Sequence, residues 1–250
     1  MEFILTESEF NEDNTAWNGN RFLMGNGYFG IRGTLEEYTK KQMCAVNMAG
    51  IYDKMGNSWR ESVNAPNPLY TYIKVNGKIY ALPDEKPKFH QQELDFRYGI
   101  HSRVTHWQTE HGNITVVCER FASIARQHNI AMKYTFSVDF DCEAEIITGI
   151  DGDVWDINGP HFVKMKIGSK DGADYVTGMT GEKNISVTVK EYIRTDFQAE
   201  QTNQNTDKSI FRHIKFSAKA EKEYIIEKIA EITTSVDDFG TSGRIDELNY

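Results

Sequence analysis

Residues 185–193 read "ISVTVKEYI", in which Ile185, Val187 and Val189 fall on one side and the polar residues between them on the other. Successive side chains of a β-strand point to opposite faces, so this period of two makes a strand with one buried face. A sheet with one buried face must be covered by a second layer. The same kind of stretch recurs from Leu69 onward. In "TYIKVNGKIYAL", residues 71–82, two short runs flank Asn76-Gly77, the strongest two-residue hairpin signal. In "HSRVTHWQTEHGNITVVCERFAS", residues 101–123, His111-Gly112-Asn113 forms the turn. "IAMKYTFSVDF", "EAEIITGIDG", "HFVKMKIGS", "DYVTGMTG", "SIFRHIKFSAKA" and "EYIIEKIAEITTS" continue the rhythm. The spacing predicts an all-β chain, a large antiparallel β-sandwich of two packed sheets over residues 1–235.

The first 68 residues are rich in Asn, Gly and Met and lack clean alternation, which predicts long loops packed on one end of the sandwich. The last stretch, 235–250, reads "SVDDFGTSGRIDELNY", polar and Gly-bearing like a linker, with "RIDELNY" as the start of a helix. Residues 236–250 are therefore expected to lead out of the sandwich.

Composition narrows the function. Of 250 residues 12% are aromatic, enough apolar area for a substantial core. A formal charge of -9, with no basic run longer than two residues, argues against binding nucleic acid or an anionic membrane. Three cysteines, Cys44, Cys118 and Cys142, with no C-x-x-C spacing, fit neither a disulfide framework nor a zinc site. The N-terminal "MEFILTESEF" has no basic segment followed by a long apolar one, so a cytoplasmic location is expected. The sequons at Asn113 and Asn184 are then chance matches.

Gly25-x-Gly27-x-x-Gly30 has the spacing of a dinucleotide-binding fingerprint. That fingerprint needs a buried strand before it and a helix N-terminus after it. Only Phe22-Leu23-Met24 precedes it, and Gly33 would fall in the first turn of the helix, so the nucleotide reading is set aside.

Larger segments carry a resemblance. "FLMGNGYFGIRGTLEEY", "AGIYDKMGNSWRESVNAPNPLYTYIKVNGKIY", "LDFRYGIHSRVTHW" and "RFASIARQHNIAMKYTFS", in this order, resemble the N-terminal domain of glycoside hydrolase family 65 enzymes. Within them are Arg32-Gly33, Glu36-Glu37, the Gly-x-Tyr-Asp segment Gly50 to Asp53 and the Asn-x-Pro-Asn segment Asn64 to Asn67. The resemblance implies a super-sandwich like those of galactose mutarotase-type domains. It implies helical linkers and an (α/α)6 barrel beyond the chain, with residues 236–250 as the start of the linker. The implied reaction is phosphorolysis of an α-linked glucose disaccharide with inversion, inorganic phosphate as co-substrate, giving β-glucose 1-phosphate and glucose. The family's general acid and phosphate-binding residues belong to the barrel, so no catalytic residue is assigned within this chain and the chain alone is expected to be inactive. No further cofactor and no metal are expected. Contact with the barrel and homodimerisation follow from the resemblance. A hydrolase of the same family and a stand-alone carbohydrate-binding module remain alternatives.

Site candidates come from the Gly25 to Glu37 loop: Asn26, Tyr28, Arg32 and Glu37, at the barrel interface or the mouth of its active site. Glu36 and Glu37 are adjacent, so on an extended segment they face opposite ways. Asp151 and Asp153 in "GIDGDVWDING" miss the calcium-loop pattern, since the sixth residue from Asp151 is Asp156 and the twelfth is Phe162, and read as a solvated turn. His101, His106 and His111 recur every five residues, which fits no metal spacing, and His90, His128, His161 and His213 read as surface or satisfied core residues. Trp17, Tyr28, Tyr52, Trp59 and Tyr70 either pack the N-terminal loops or stack on sugar.

Overall fold

The computed structural model describes residues 3–237. The first quarter of the chain holds β1 (Ile4–Glu7), α1 (Thr15–Arg21), β2 (Met24–Gly25), β3 (Phe29–Ile31), β4 (Val46–Asp53) and β5 (Glu61–Asn64). Then follow β6 (Thr71–Val75), β7 (Lys78–Tyr80), β8 (Phe89–Asp95), β9 (Ile100–Gln108), β10 (Asn113–Ala122), β11 (Asn129–Val138) and β12 (Cys142–Ile150). The remainder is β13 (Phe162–Lys170), β14 (Ala173–Thr180), β15 (Ser186–Thr195), β16 (Glu200–Asn205), β17 (Ile210–Ala218) and β18 (Glu223–Thr234).

A nine-stranded antiparallel sheet, in the order β1-β8-β9-β10-β11-β18-β15-β14-β13, is faced by a five-stranded sheet, β16-β17-β12-β6-β7. β12 packs across onto β14 and β15. Ile73, Ile146 and Ile214 from the smaller sheet share one core with Val116, Phe136, Val187, Val189 and Ile226 from the larger, and all eight are buried. The predicted all-β sandwich is the observed fold. At Asn76-Gly77 both residues take positive φ, 49° and 82°, as the two-residue turn between β6 and β7 requires.

Three features depart from the sequence reading. The first 68 residues are not only loops: β2-β3-β4-β5 form a four-stranded sheet of their own, and β1 pairs with β8 at the edge of the large sheet. Four of those strands, β1, β2, β3 and β5, are four residues or shorter, too short for alternation to register. β16, "EQTNQN", is exposed throughout and pairs only with β17, so a polar edge strand carries no apolar signal. Finally, the alternation of β15 continues past Val189 onto Glu191, which lies fully buried on the core side with its carboxylate 2.9 Å from the buried Nζ of Lys228. Lys228 also donates to the carbonyls of Pro68 and Gly149, at 2.9 and 3.1 Å, tying the loop before β6 to the sandwich. The expected helix at "RIDELNY" lies outside the described residues.

Candidate functional site

The glycine-rich segment is a β-hairpin. Gly25 pairs with Gly30 and Met24 with Ile31, and Gly27, at φ 91°, makes the turn. Only glycine takes that backbone conformation without strain. The context is strand-turn-strand, and a phosphate cradle is excluded for the reason given by the sequence. Asn26 fixes the hairpin on both sides. Its Oδ1 accepts from the backbone N–H of Tyr28 and Phe29, and its Nδ2 donates to the carbonyls of Ser123 and Gln127 at 2.7 and 2.9 Å.

Tyr28 reaches the far end of the described chain. Its ring meets His128 edge-on at 4.2 Å, and its hydroxyl donates to Asp237 Oδ2 at 2.7 Å. The same carboxylate accepts from Thr234 N and Thr234 Oγ1, which closes the end of β18. Burial, then Asp237, pushes the Tyr28 hydroxyl well above its ordinary pKa, so it remains a donor. Replacing Tyr28 with Phe is expected to cost about 1 kcal/mol, because the bond is charge-assisted but half-exposed. Amide exchange at 234–237 should accelerate more than exchange in β9 and β10. Uniform acceleration would mean that the hydroxyl has no local role.

Arg32 ties α1 to the loop before β4. Its guanidinium donates to the Ala16 carbonyl at 2.7 Å, the Met43 carbonyl at 3.1 Å and Asn20 Oδ1 at 3.3 Å. It lies over Gly19, where a Cβ would stand 2.7 Å from Arg32 Nε.

Glu36 and Glu37 lie in a turn rather than an extended segment, and this corrects the expectation that they point apart. Both carboxylates converge on Arg103 of β9: Nε meets Glu36 Oε2 at 2.7 Å and Nη2 meets Glu37 Oε2 at 2.6 Å. Arg120 of β10 takes the other Glu36 oxygen at 2.7 Å and donates to the Thr34 carbonyl. All four side chains are at most 1% exposed. On β8, β9 and β10 the buried polar positions are His90, Gln92, His101, Arg103, Thr105 and Arg120, and the 34–38 turn is the acidic cover over this polar part of the sheet.

The field inside this network decides its chemistry. Burial pushes the Glu36 carboxyl up, but Arg120 and Arg103 more than reverse this and hold it down to about 2. Burial, with Glu36 beside it, raises Glu37 against the pull of Arg103. Burial, and then Arg103, lowers His90 to about 3, and burial with Arg120 takes His101 well below its usual range, so both imidazoles are neutral. A carboxylate clamped between two guanidinium groups accepts hydrogen bonds and gives up no proton to a leaving group. This network holds the 34–38 turn against β9 and β10.

The remaining candidates divide. Trp17, Tyr52 and Trp59 are half or more exposed, while Tyr70 packs on Tyr72 and Phe211. Asp151 is not in a solvated turn: it is buried, accepts from Ser209 Oγ and the Asp153 N–H, and its backbone bridges to Asn67. Asp153 pairs with Lys40 and Lys208. Arg103 and Arg120 were not singled out by the sequence, although Arg120 follows Ile114, Val116 and Cys118 on the buried face of β10.

The fold and sequence have relatives. The solved structure of a protein from the human microbiome provisionally assigned as a kojibiose phosphorylase superposes with a TM-score of 0.83 at 19% identity, covering 93% of this chain and 32% of the other. Nigerose phosphorylase of Lachnoclostridium phytofermentans is 39% identical over 95% of this chain. The 1,2-alpha-glucosylglycerol phosphorylase of Bacillus selenitireducens is 36% identical over 88%, and kojibiose phosphorylase of Halothermothrix orenii 31% over 80%. The chain spans 34%, 29% and 26% of these three relatives, about a third of their length or less. The model of the glycosyl hydrolase family 65 N-terminal domain matches residues 5–248, and the chain belongs to that family as its N-terminal domain.

Proposed function

We propose that this chain is the non-catalytic scaffold of an inverting α-glucoside phosphorylase. The observation that carries the proposal is the 31–39% identity, across 80–95% of this chain, to three curated proteins that are all named phosphorylases. In this reading phosphate attacks the anomeric carbon opposite the leaving oxygen, and one carboxylic acid protonates that oxygen. Phosphate is itself the nucleophile, so no second carboxylate is needed to activate water. The acid is assigned to the barrel beyond this chain, a reading supported by the sealing of Glu36 and Glu37 against arginine. Residues 1–235 are the sandwich and 236–250 lead to an (α/α)6 barrel. The Gly25 to Glu37 hairpin, through Asn26, Tyr28, Arg32 and Glu37, orders the surface that meets the barrel, and the Tyr28–Asp237 bond sets the direction of the chain after β18. The three relatives are named for different glucosides, and in this reading the acceptor is chosen by the barrel. Conserving the glycosidic bond as a sugar phosphate benefits a cell only inside it, which supports a cytoplasmic site. A homodimer completes the reading.

The test compares the full-length protein with the 250-residue chain on nigerose, kojibiose, maltose, trehalose and glucosylglycerol. Phosphate-dependent formation of β-glucose 1-phosphate by the full-length protein alone is expected. Glucose release without phosphate would replace the phosphorylase reading with a hydrolase, and turnover by the isolated chain would overturn the scaffold role.

A further inference from the structure

Away from the hairpin, four side chains from three parts of the chain meet: Asp53 ends β4, Glu61 begins β5, and Asp156 and His161 come from the turn before β13. His161 Nε2 is 2.7 Å from Glu61 Oε1, and Nδ1 is 3.2 Å from Asp53 Oδ2. His161 and Asp53 are 1% and 2% exposed at their side chains, and Glu61 is 8%. Donor atoms of Glu61, Asp156 and His161 all lie within 4.8 Å of one another. Asp156 is folded back over Gly159, where a Cβ would meet Asp156 Oδ2 at 2.4 Å. Beyond it opens a cleft of about 180 Å³ lined by Asn47, Glu61, Ser62, Trp155 and Asp156.

Charge does not balance here. Three carboxylates, two of them buried, converge on one imidazole, which carries at most one positive charge. The neighbouring cation, Arg60, is exposed and is paired to Glu182. Buried carboxylates are costly unless a cation neutralises them. The arrangement is also directional. Asp53 on Nδ1 fixes the ring so that Nε2 faces Glu61, which is how a carboxylate orients a metal-bound histidine through its other nitrogen. Asp53 is itself held, its other oxygen accepting the Glu182 N–H at 2.8 Å. Glu61 is steadied by the N–H groups of Ile157 and Asn158, both at 2.9 Å.

The geometry points to a divalent-cation site with His161 Nε2, Glu61 and Asp156 as ligands, Asp53 orienting the histidine, and the remaining coordination position open to the cleft. One imidazole and two carboxylates are a donor set for zinc or manganese, with metal–ligand distances of about 2.0–2.2 Å. The ion enters between His161 and Glu61 in place of the proton that otherwise bridges them. Spacing in sequence hides the site, because its ligands are 61, 156 and 161. The open position takes water or a sugar hydroxyl from the cleft, which Asn47, Ser62 and Trp155 line beside the two carboxylates.

The experiment is calorimetric titration of the EDTA-stripped full chain with ZnCl2, with MgCl2 as control, alongside the same titration of His161→Asn and Asp53→Asn. One zinc per chain at micromolar affinity is expected, with a zinc-edge absorption spectrum showing a single imidazole among oxygen donors. Asp53→Asn should weaken binding about 10–100-fold while keeping the stoichiometry, and His161→Asn should abolish it. If the wild-type chain shows no saturable zinc binding below a millimolar concentration, the four groups are a proton clamp only. Undiminished binding by His161→Asn would place the zinc elsewhere and equally overturn the site. The wild-type titration decides the matter even if a variant fails to fold.

Discussion

Replacing Arg103 with Met is expected to destabilise the chain by about 4 kcal/mol, or to prevent its folding altogether. Arg103 is the cation that both Glu36 and Glu37 share, and no water reaches either carboxylate. Breaking a buried ion pair from one side typically costs about 3–5 kcal/mol, because the partner stays buried without compensation. Against a total stability of about 5–15 kcal/mol for a domain, such a loss is a large fraction. Arg120 remains on Glu36 in the variant, so the stranded charge is chiefly Glu37. Combining Arg103→Met with Glu37→Met should therefore recover much of the loss, since apolar groups of similar volume replace a buried pair at little cost. Urea denaturation of wild type, single and double variants measures this directly. A single variant within 1 kcal/mol of wild type would show that the acidic turn is held by something other than Arg103.

The second large effect belongs to Gly33, and its contrast with Gly27 separates two reasons for a glycine. A Cβ on Gly33 would stand 2.4 Å from Phe22 Cβ and 2.6 Å from both the carbonyl carbon and oxygen of Phe22. Phe22 is fully buried at the end of α1, and Gly33 N–H donates to the Gly19 carbonyl at 2.8 Å, so neither backbone has room to retreat. Gly33→Ala is expected to lose about 3 kcal/mol by overpacking. At this chain length that corresponds to a fall in Tm of roughly 6–12 °C. Gly27 has nothing within 4 Å of its missing Cβ but takes φ +91°. Gly27→Ala should thus lose only about 1–2 kcal/mol, the cost of a left-handed backbone in an L-residue. Equal losses in thermal denaturation would remove the packing argument for Gly33.

These two sites also mark how far the sequence could be read. The glycines of the hairpin were correctly separated from a nucleotide fingerprint, because what precedes and follows them is visible locally. The role of Gly33 was not visible, because Phe22 approaches it through the turn of the intervening hairpin. β9 presents the same limit more sharply. In "IHSRVTHWQ" the obvious apolar positions, Ile100 and Val104, are the half-buried ones, and His101, Arg103 and Thr105 face inward with Trp107. Alternation identified the strand, but which face is the core depended on an acidic turn 66–67 residues away in sequence.

What the sequence determined by itself is the all-β class, the strands between Thr71 and Thr234 except β8 and β16, the turn at Asn76-Gly77 and, through ordered motifs, the family. Those follow from backbone geometry, since a period of two and a positive φ are properties of a few consecutive residues. What only the tertiary structure decided is the company each charged residue keeps. Glu191 meets Lys228, Glu36 and Glu37 meet Arg103 and Arg120, and Asp53, Glu61, Asp156 and His161 share one site. The reason is that strand order in both sheets is not chain order. β18 lies between β11 and β15, and β12 between β6 and β17, so neighbours in space are set by packing the whole core and by no stretch of sequence alone.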